Sequence, residues 1–239
     1  MPNPKVAATI NASTFICSTA LVGISIAAIH LASDAYDVLT ERFPPGLFGD
    51  DREGWSIDLN YDRSSEIKTY VAAAFALVAG LLGAFAFGLS FKRRAAPLLC
   101  LSLLGSAVLA CVVAIVCASW SAVAEVTIKK TTCSFEPAYA GNHYSCSIEN
   151  AACNALRFSD EASPPNNYPR DDENFAILDK ACLQFRHARY MVIPLAVVSL
   201  LLVGLYGAHI WLARGKQDEN EQAEDRVRAL NADEETRVS

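Results

Sequence analysis

The sequence predicts an all-α membrane protein, a four-helix transmembrane bundle with a small disulfide-stapled extracellular cap that contains short β-strands. Three observations lead to this fold class: four long uncharged segments, a basic connection between the second and third of them, and four cysteines in the longest connection. Of the 239 residues 52% are hydrophobic, and the mean hydropathy is +0.23. A soluble domain is already about 45–50% apolar, so the distribution of charge, rather than the average, decides the fold class.

The uncharged segments are 28, 23, 30 and 24 residues long and cover 6–33, 69–91, 95–124 and 190–213. A helix needs about 20 mainly apolar residues to cross a bilayer core about 30 Å thick. The alternative is a soluble bundle, but soluble helices keep a polar face. The first segment is expected to remain as a span rather than be cleaved as a signal peptide, because it is longer than an ordinary signal-peptide apolar region.

Charge and cysteine positions together predict the topology. Three basic residues at 92–94 lie in the tight connection between spans two and three, which the positive-inside rule places in the cytoplasm. Basic residues near the other side of the membrane blur the rule, but four cysteines in one connection indicate an oxidising compartment. We predict a multi-pass plasma-membrane protein with both termini cytoplasmic. Its segments are the N-terminus 1–5, span one 6–33, extracellular loop 34–67, span two 68–91, cytoplasmic turn 92–96, span three 97–124, extracellular loop 125–189, span four 190–213 and cytoplasmic tail 214–239.

The cap is predicted from the first loop. Residues 55–62 alternate apolar and polar side chains, which indicates a half-buried strand. Because a lone strand is not stable, it should pair with the second loop, through either residues 126–128 or residues 144–148. The tail is predicted to continue span four as a frayed helix and then to become disordered.

Small residues recur at every fourth position in spans two and three. Helices in lipid associate through close backbone approach across small residues and through interhelical hydrogen bonds. The two ridges are therefore expected to pack on each other as an antiparallel pair. They comprise Ala72, Ala76, Gly80, Ala84 and Gly88 in span two and Ser102, Ser106, Ala110, Ala114 and Ala118 in span three.

Span one carries a polar seam of Asn11, Thr14, Ser18 and Ser25. Polar side chains in membrane helices usually face other helices, so we interpret the seam as a packing feature, with a pore or partner contact as the alternative. At mid-depth the spans contain no Asp, Glu, Lys or Arg, whereas transporters and pumps place such residues there. His209, near one interface, is interpreted as an anchor.

The four loop cysteines are disulfide candidates: Cys133, Cys146, Cys153 and Cys182. They allow three connectivities. A Cys133–Cys182 bridge at the stem of the loop, with Cys146–Cys153 nested inside, is favoured, and a zinc site is the alternative. Cys100, near the predicted inner leaflet, is a candidate for lipidation or for ordinary packing.

The order of four spans, a short first loop, a tight basic turn and a longer cysteine-bearing second loop resembles the tetraspan families, namely tetraspanins, claudin-like and sarcospan-like proteins. Two features depart from them: the second loop lacks a Cys-Cys-Gly motif, and the first loop has Trp55 without a cysteine pair. The spacing of the loop cysteines is most similar to the sarcospan-like pattern. The resemblance implies lateral organisation of other membrane proteins.

No catalytic constellation, cofactor motif or metal-ligand spacing is visible in the sequence, so we expect no enzyme, no cofactor and no small-molecule substrate. The net charge of −6 and the lack of a basic stripe disfavour nucleic acid. The expected partners are membrane lipid and other integral membrane proteins or further copies. The leading hypothesis is a membrane scaffold or adaptor that acts through its outer loops and small-residue helix faces. The alternatives are a channel or auxiliary channel subunit formed by self-assembly, and a component of cell–cell junctions.

Overall fold

The computed structural model describes residues 4–42, 46–50, 55–89, 97–128, 134–138, 141–153 and 172–238. Four of its helices are long and apolar enough to cross a membrane. The elements in chain order are α1 Pro4–Arg42, β1 Gly46–Asp50, β2 Trp55–Asp62, α2 Ser64–Leu89, α3 Pro97–Ile128, β3 Ser134–Ala138, β4 Gly141–Ser147, α4 over 148–153, α5 Asp172–Tyr190 and α6 Val192–Val238.

Each long helix buries a stripe of residues at alternating spacings of three and four. This is the spacing of left-handed coiled coils, in which one seam of the helix stays against its neighbours. The stripes are 14, 18, 21, 25, 28, 32, 35 and 39 in α1; 66, 69, 73, 76, 80, 83 and 87 in α2; 100, 103, 107, 110, 114 and 117 in α3; and 178, 181, 185, 188, 192, 195, 199, 202 and 206 across α5 and α6.

The four helices form a ring in the order α1, α2, α3, α6, in which each helix packs on two neighbours. The bundle core is made of small residues from α2 and α3, such as Ala76 and Ala110, and of larger ones from α1 and α6, such as Leu21 and Leu202. The chain termini lie at one end of the ring, which we call the terminal end. At the other end, α1 and α5 run on beyond the bundle.

The small-residue ridges do not pack as an extended pair. In α2, Ala72, Ala76 and Gly80 are buried, but Ala84 is half-buried and Gly88 is exposed. Gly80 approaches α1 rather than α3, since a Cβ there would lie 3.0 Å from the Ser18 carbonyl oxygen. The reason is helical geometry: four residues turn about 40° beyond a full circle, so a ridge at every fourth position rotates away from any one neighbour.

The ridge of α3 shows the same drift. Ala110 and Ala114 are buried, Ser106 and Ala118 are half-buried, and Ser102 is exposed. The outward hydroxyls of Ser102 and Ser106 donate to backbone carbonyls three residues earlier, at 2.9 and 2.8 Å. On its buried side α3 packs against α6 as well as α2.

Strands from both connections form one four-stranded sheet of order β1-β2-β4-β3. β2 covers the residues whose alternation predicted a strand, Trp55–Asp62, and it pairs in parallel with β4, with Tyr61 opposite Cys146. Residues 126–128, the other candidate partner, belong to α3. We call the sheet, α4, α5 and residues 34–42 of α1 the head.

The head has its own apolar core, separate from that of the bundle. It includes Ala35 and Leu39 of α1, Ile148 of α4, and Phe185 of α5, with Tyr61 of β2 packed against it. α1 therefore continues nine residues beyond the predicted end of span one, because its buried stripe finds new partners in the head after the uncharged segment ends.

Helix α5 lies in the region that was predicted to be an extracellular loop. It is followed almost directly by α6. Met191 separates the two helices. Pro194 has no N–H that could donate to the Tyr190 carbonyl. The helical hydrogen bonds on either side of it are present, from the Met191 N–H to the His187 carbonyl at 3.0 Å and from the Leu195 N–H to the Met191 carbonyl at 3.2 Å. At its other end α6 continues to Val238, so the tail is helical where disorder was expected.

Candidate functional site

Two groups of polar side chains stand out from the apolar packing. One joins α4 to α5 in the head, and the other lies between α1, α2 and α6 near the terminal end of the bundle. We call them the head clamp (Glu149, Cys153, Cys182 and Arg189) and the terminal cluster (Thr14, Ser18, Gly83, Phe87, Tyr206 and His209).

The covalent part of the head clamp is a disulfide between Cys153 of α4 and Cys182 of α5, whose Cα atoms lie 4.8 Å apart. The favoured connectivity, Cys133 with Cys182 and Cys146 with Cys153, is therefore wrong. That pairing assumed that Cys182 closes the stem of a loop, whereas Cys182 lies on α5 and faces α4. Cys133 lies outside the described residues.

The ionic part of the clamp is a salt bridge between the Arg189 guanidinium and the Glu149 carboxylate, 3.1 Å apart. Both side chains are buried, at 8% and 7% exposure. Glu149 and Cys153 are four residues apart and so share one face of α4. Ser147 begins this helix as its N-cap, since its hydroxyl accepts the Asn150 N–H at 3.3 Å. The clamp thus fixes α4 on α5 at two points.

A second ion pair ties the sheet to the bundle where β2 runs into α2. Arg63 donates to the buried Glu66 carboxylate at 2.9 Å, and its guanidinium lies 4.1 Å from the Tyr36 ring of α1. Asp62 accepts the Ser64 N–H at 2.9 Å and so caps the start of α2. These contacts hold α1, β2 and α2 together at the base of the head.

At the terminal end, the polar seam predicted in span one faces α6. The Thr14 hydroxyl lies 3.3 Å from His209 Nε2, and the Phe87 ring of α2 lies 5.0 Å from the His209 ring. Phe87 also stacks on Tyr206 at 5.9 Å. Thr14 and Tyr206 are fully buried and His209 is half-buried. The seam is therefore used inside the bundle.

One turn further into the bundle, Ser18, Gly83 and Tyr206 meet. A Cβ on Gly83 would contact both the Ser18 and the Tyr206 hydroxyl oxygens. Glycine is required there because a side chain would occupy the space into which both hydroxyls point. Both residues are buried, so their hydroxyl groups lie close together beside Gly83 inside the bundle.

The remaining predicted residues fall outside the two groups. Asn11 is half-buried near the N-terminal end of α1. Ser25 is buried, but its hydroxyl donates to the Leu21 carbonyl of the same helix at 2.7 Å. Cys100 is only 6% exposed within the bundle, which leaves its thiol poorly accessible for lipidation. Among the described residues, no group of three His, Cys, Asp or Glu side chains is arranged to hold a metal ion.

Half of the residues that build these groups were not predicted from the sequence. Glu149 and Arg189 gave no signal, because a loop glutamate and a membrane-flanking arginine are common and far apart in sequence. His209 was interpreted as an interface anchor, and Tyr206 was not singled out. The sequence does contain a signal for these positions. Ser18 and Ser25 in α1, and Ser199 and Tyr206 in α6, are each seven residues apart, and this heptad spacing places polar residues on the core-facing stripe of each helix.

The contacts of the two groups join helices, α4 to α5 in the head and α1, α2 and α6 at the terminal end. Comparison of the chain with protein-family models, curated proteins and solved structures found no match.

Proposed function

We propose that the protein is a non-enzymatic four-span scaffold or adaptor of the plasma membrane, which binds partner membrane proteins through its head. The observation that carries this proposal is the head clamp. A disulfide and a buried ion pair join α4 to α5, and α5 and α1 connect the head to the bundle. A surface held in this way keeps its shape, so it loses little conformational entropy on binding.

An extracellular head is supported by the cysteines and by charge. Disulfides persist outside the cytosol. In the sequence, three basic residues at 92–94 fall between α2 and α3, and the positive-inside rule favours the cytoplasm for such a connection. Arg189, one of the basic residues that blurred the rule, is paired with Glu149. The proposed topology therefore has cytoplasmic termini.

The apolar faces of the bundle suit a second role in lateral contact. α2 and α3 expose large side chains such as Phe75, Phe85, Ile115 and Trp120. Lipid chains would cover these faces in a membrane, and a partner's helix can replace lipid there when its packing is better.

The channel hypothesis loses its motivating feature. It rested on the polar seam of span one, and Thr14, Ser18 and Ser25 are all fully buried against the other helices of the same chain. A pore lined by this seam would need the bundle to open.

The proposal is tested by crosslinking intact cells and purifying the full chain in mild detergent. We expect stoichiometric membrane-protein partners with the wild type and their loss when Cys153 and Cys182 are both replaced by serine. Cys117, a buried free cysteine in α3, provides the matched control, and Cys117→Ser should retain the partners. Recovery of the chain without any stoichiometric partner, or equal recovery with the clamp removed, contradicts the proposal.

A further inference from the structure

A lysine and a tryptophan meet at the head-side ends of α2 and α3. The Lys68 ammonium lies 4.3 Å from the centre of the Trp120 ring. Lys68 is half-buried, whereas Trp120 is 59% exposed, so the pair lies at the outer surface of the bundle. A tryptophan ring attracts a cation through its face, but the ring is neutral and leaves the positive charge of the lysine uncompensated.

Lys68 differs in this respect from two arginines at the base of the head. Arg63 is paired with Glu66, and Arg189 is paired with Glu149. Within the part of the chain that the structure describes, no carboxylate is paired with Lys68. An ammonium has three N–H donors, and an aromatic ring covers it from one side only. Lys68 therefore keeps both charge and hydrogen-bond donors for an anionic ligand.

The pair lies where the uncharged part of the bundle ends. Lys68 directly precedes the uncharged segment 69–91. One turn further into the bundle, Ala72, Cys117 and Val192 pack in a common apolar cluster. Tryptophan is enriched at the membrane–water interface, and lysine directs its ammonium towards it. In a bilayer the pair would therefore lie at the level of the phospholipid headgroups.

An apolar face of α2 continues from Lys68 into the bundle. Val71, Phe75 and Val78 follow at spacings of three and four residues, which keep to one helix face, and all three are exposed. On α3, the exposed Val116 lies one turn further into the bundle than the tryptophan. A cation on the head side with exposed apolar side chains beyond it matches a phospholipid, whose phosphate lies at the membrane surface and whose acyl chains lie in the core.

We propose that Lys68 and Trp120 form a binding site for one anionic phospholipid in the leaflet on the head side. The Lys68 ammonium donates charge-assisted hydrogen bonds to the phosphate, and an acyl chain lies along Val71, Phe75 and Val78. An anionic lipid is favoured over a zwitterionic one because a zwitterionic headgroup brings its own cation close to Lys68. The site is independent of the proposed partner-binding function and requires only that the bundle lies in a bilayer.

The test is native mass spectrometry of the full chain in mild detergent with equal amounts of phosphatidylglycerol and phosphatidylcholine. For the wild type we expect one phosphatidylglycerol to remain bound in several-fold excess over phosphatidylcholine. Inorganic phosphate added at the concentration of the lipid should not displace it, because phosphate alone cannot contact the apolar face of α2. Equal retention of the two lipids, or displacement by inorganic phosphate, overturns the proposal.

Two charge-matched variants locate the site. Lys68→Gln removes the proposed phosphate ligand, so the fraction of chains with bound phosphatidylglycerol should fall several-fold. Lys180→Gln removes one positive charge from an exposed position of α5, about 15 Å along the helix from Tyr190 towards the head, so binding should stay at the wild-type level. Equal binding by the wild type and Lys68→Gln, or an equal loss in both variants, contradicts the site. Should Lys68→Gln fail to fold, the lipid preference of the wild type and its competition with phosphate still decide.

Discussion

The head clamp and the terminal cluster hold helices together by different chemistry. In the head, Glu149 and Arg189 form a buried ion pair and Cys153 forms a disulfide with Cys182. In the terminal cluster, the contacts are a hydroxyl on an imidazole, stacked aromatic rings and a glycine at a three-helix contact. The head therefore uses full charges and a covalent bond, whereas the bundle uses neutral groups.

The difference follows from the two surroundings. A charge at mid-membrane is expensive even when it is paired, so a span is best joined by neutral hydrogen bonds and close packing. In the proposed topology the head lies outside the membrane, where water surrounds the charged groups that are not buried and an oxidising compartment permits disulfides. Strong single contacts are thus expected in the head, and many weak ones in the bundle.

The largest effect is expected from Arg189→Met. It leaves the Glu149 carboxylate buried without its ionic partner, which costs about 3–5 kcal/mol of folding stability. Thermal unfolding in detergent and hydrogen exchange over α4 and α5 measure the loss. Adding Glu149→Leu should restore most of the stability, because the buried charge is then gone. Arg186→Met, an exposed change one turn earlier on α5, should have little effect, and an equal loss there would show that the ion pair is unimportant.

The second effect concerns the disulfide. Cys153→Ala should lower stability by about 2–4 kcal/mol, since the bridge closes a loop with a sequence separation of 29. Cys117→Ala, at a free buried cysteine, gives the reference for losing a thiol. Mapping of non-reduced peptides should find Cys153 joined to Cys182. A peptide joining Cys133 to Cys182 would refute the head clamp.

The bundle could be predicted from the sequence because the requirements for a membrane span can be read along the chain alone. A span must be about 20 residues long and nearly free of charge, and four such segments are visible without any contact information. The strand at residues 55–62 was visible for a similar reason, since alternation along one element reports a half-buried face. Both features depend on residues that are close together in the sequence.

The contacts of the head clamp and the terminal cluster were harder to predict from the sequence, because they depend on the register between elements that are far apart along the chain. The Glu149–Arg189 pair joins residues 40 apart and Thr14–His209 joins residues 195 apart. Helix α5 was missed because its mean polarity is that of a loop, although residues 178, 181, 185 and 188 already follow the heptad spacing. The small-residue ridges were predicted to pack on each other because residues at every fourth position were assumed to share one helix face. A helix keeps one face only when spacings of three and four alternate.

An intermediate effect is expected from Gly83→Ala. The added methyl group would contact the Ser18 and Tyr206 oxygens, and overpacking of this kind costs about 1–3 kcal/mol. The matched control is Gly23→Ala on α1, where a Cβ meets nothing within 4 Å. That change should be neutral or slightly stabilising, because alanine favours helix over glycine. Thermal unfolding of both variants in the same detergent separates close packing from helix propensity, and equal behaviour would mean that Gly83 is not at a crowded contact.

The smallest effect should come from the Thr14–His209 contact. A double-mutant cycle with Thr14→Val and His209→Phe should give a coupling free energy of about 0.6 kcal/mol, the average found for hydrogen bonds between membrane helices. The value is small because Thr14 keeps a second bond to the Ile10 carbonyl at 2.8 Å, and this bond satisfies its hydroxyl without His209. A coupling near that of the buried ion pair would erase the contrast between head and bundle, since one neutral contact would then hold α1 on α6 as strongly as a charge pair holds α4 on α5. A coupling free energy close to zero would mean that the terminal cluster stabilises the bundle only through Gly83 and the stacked rings.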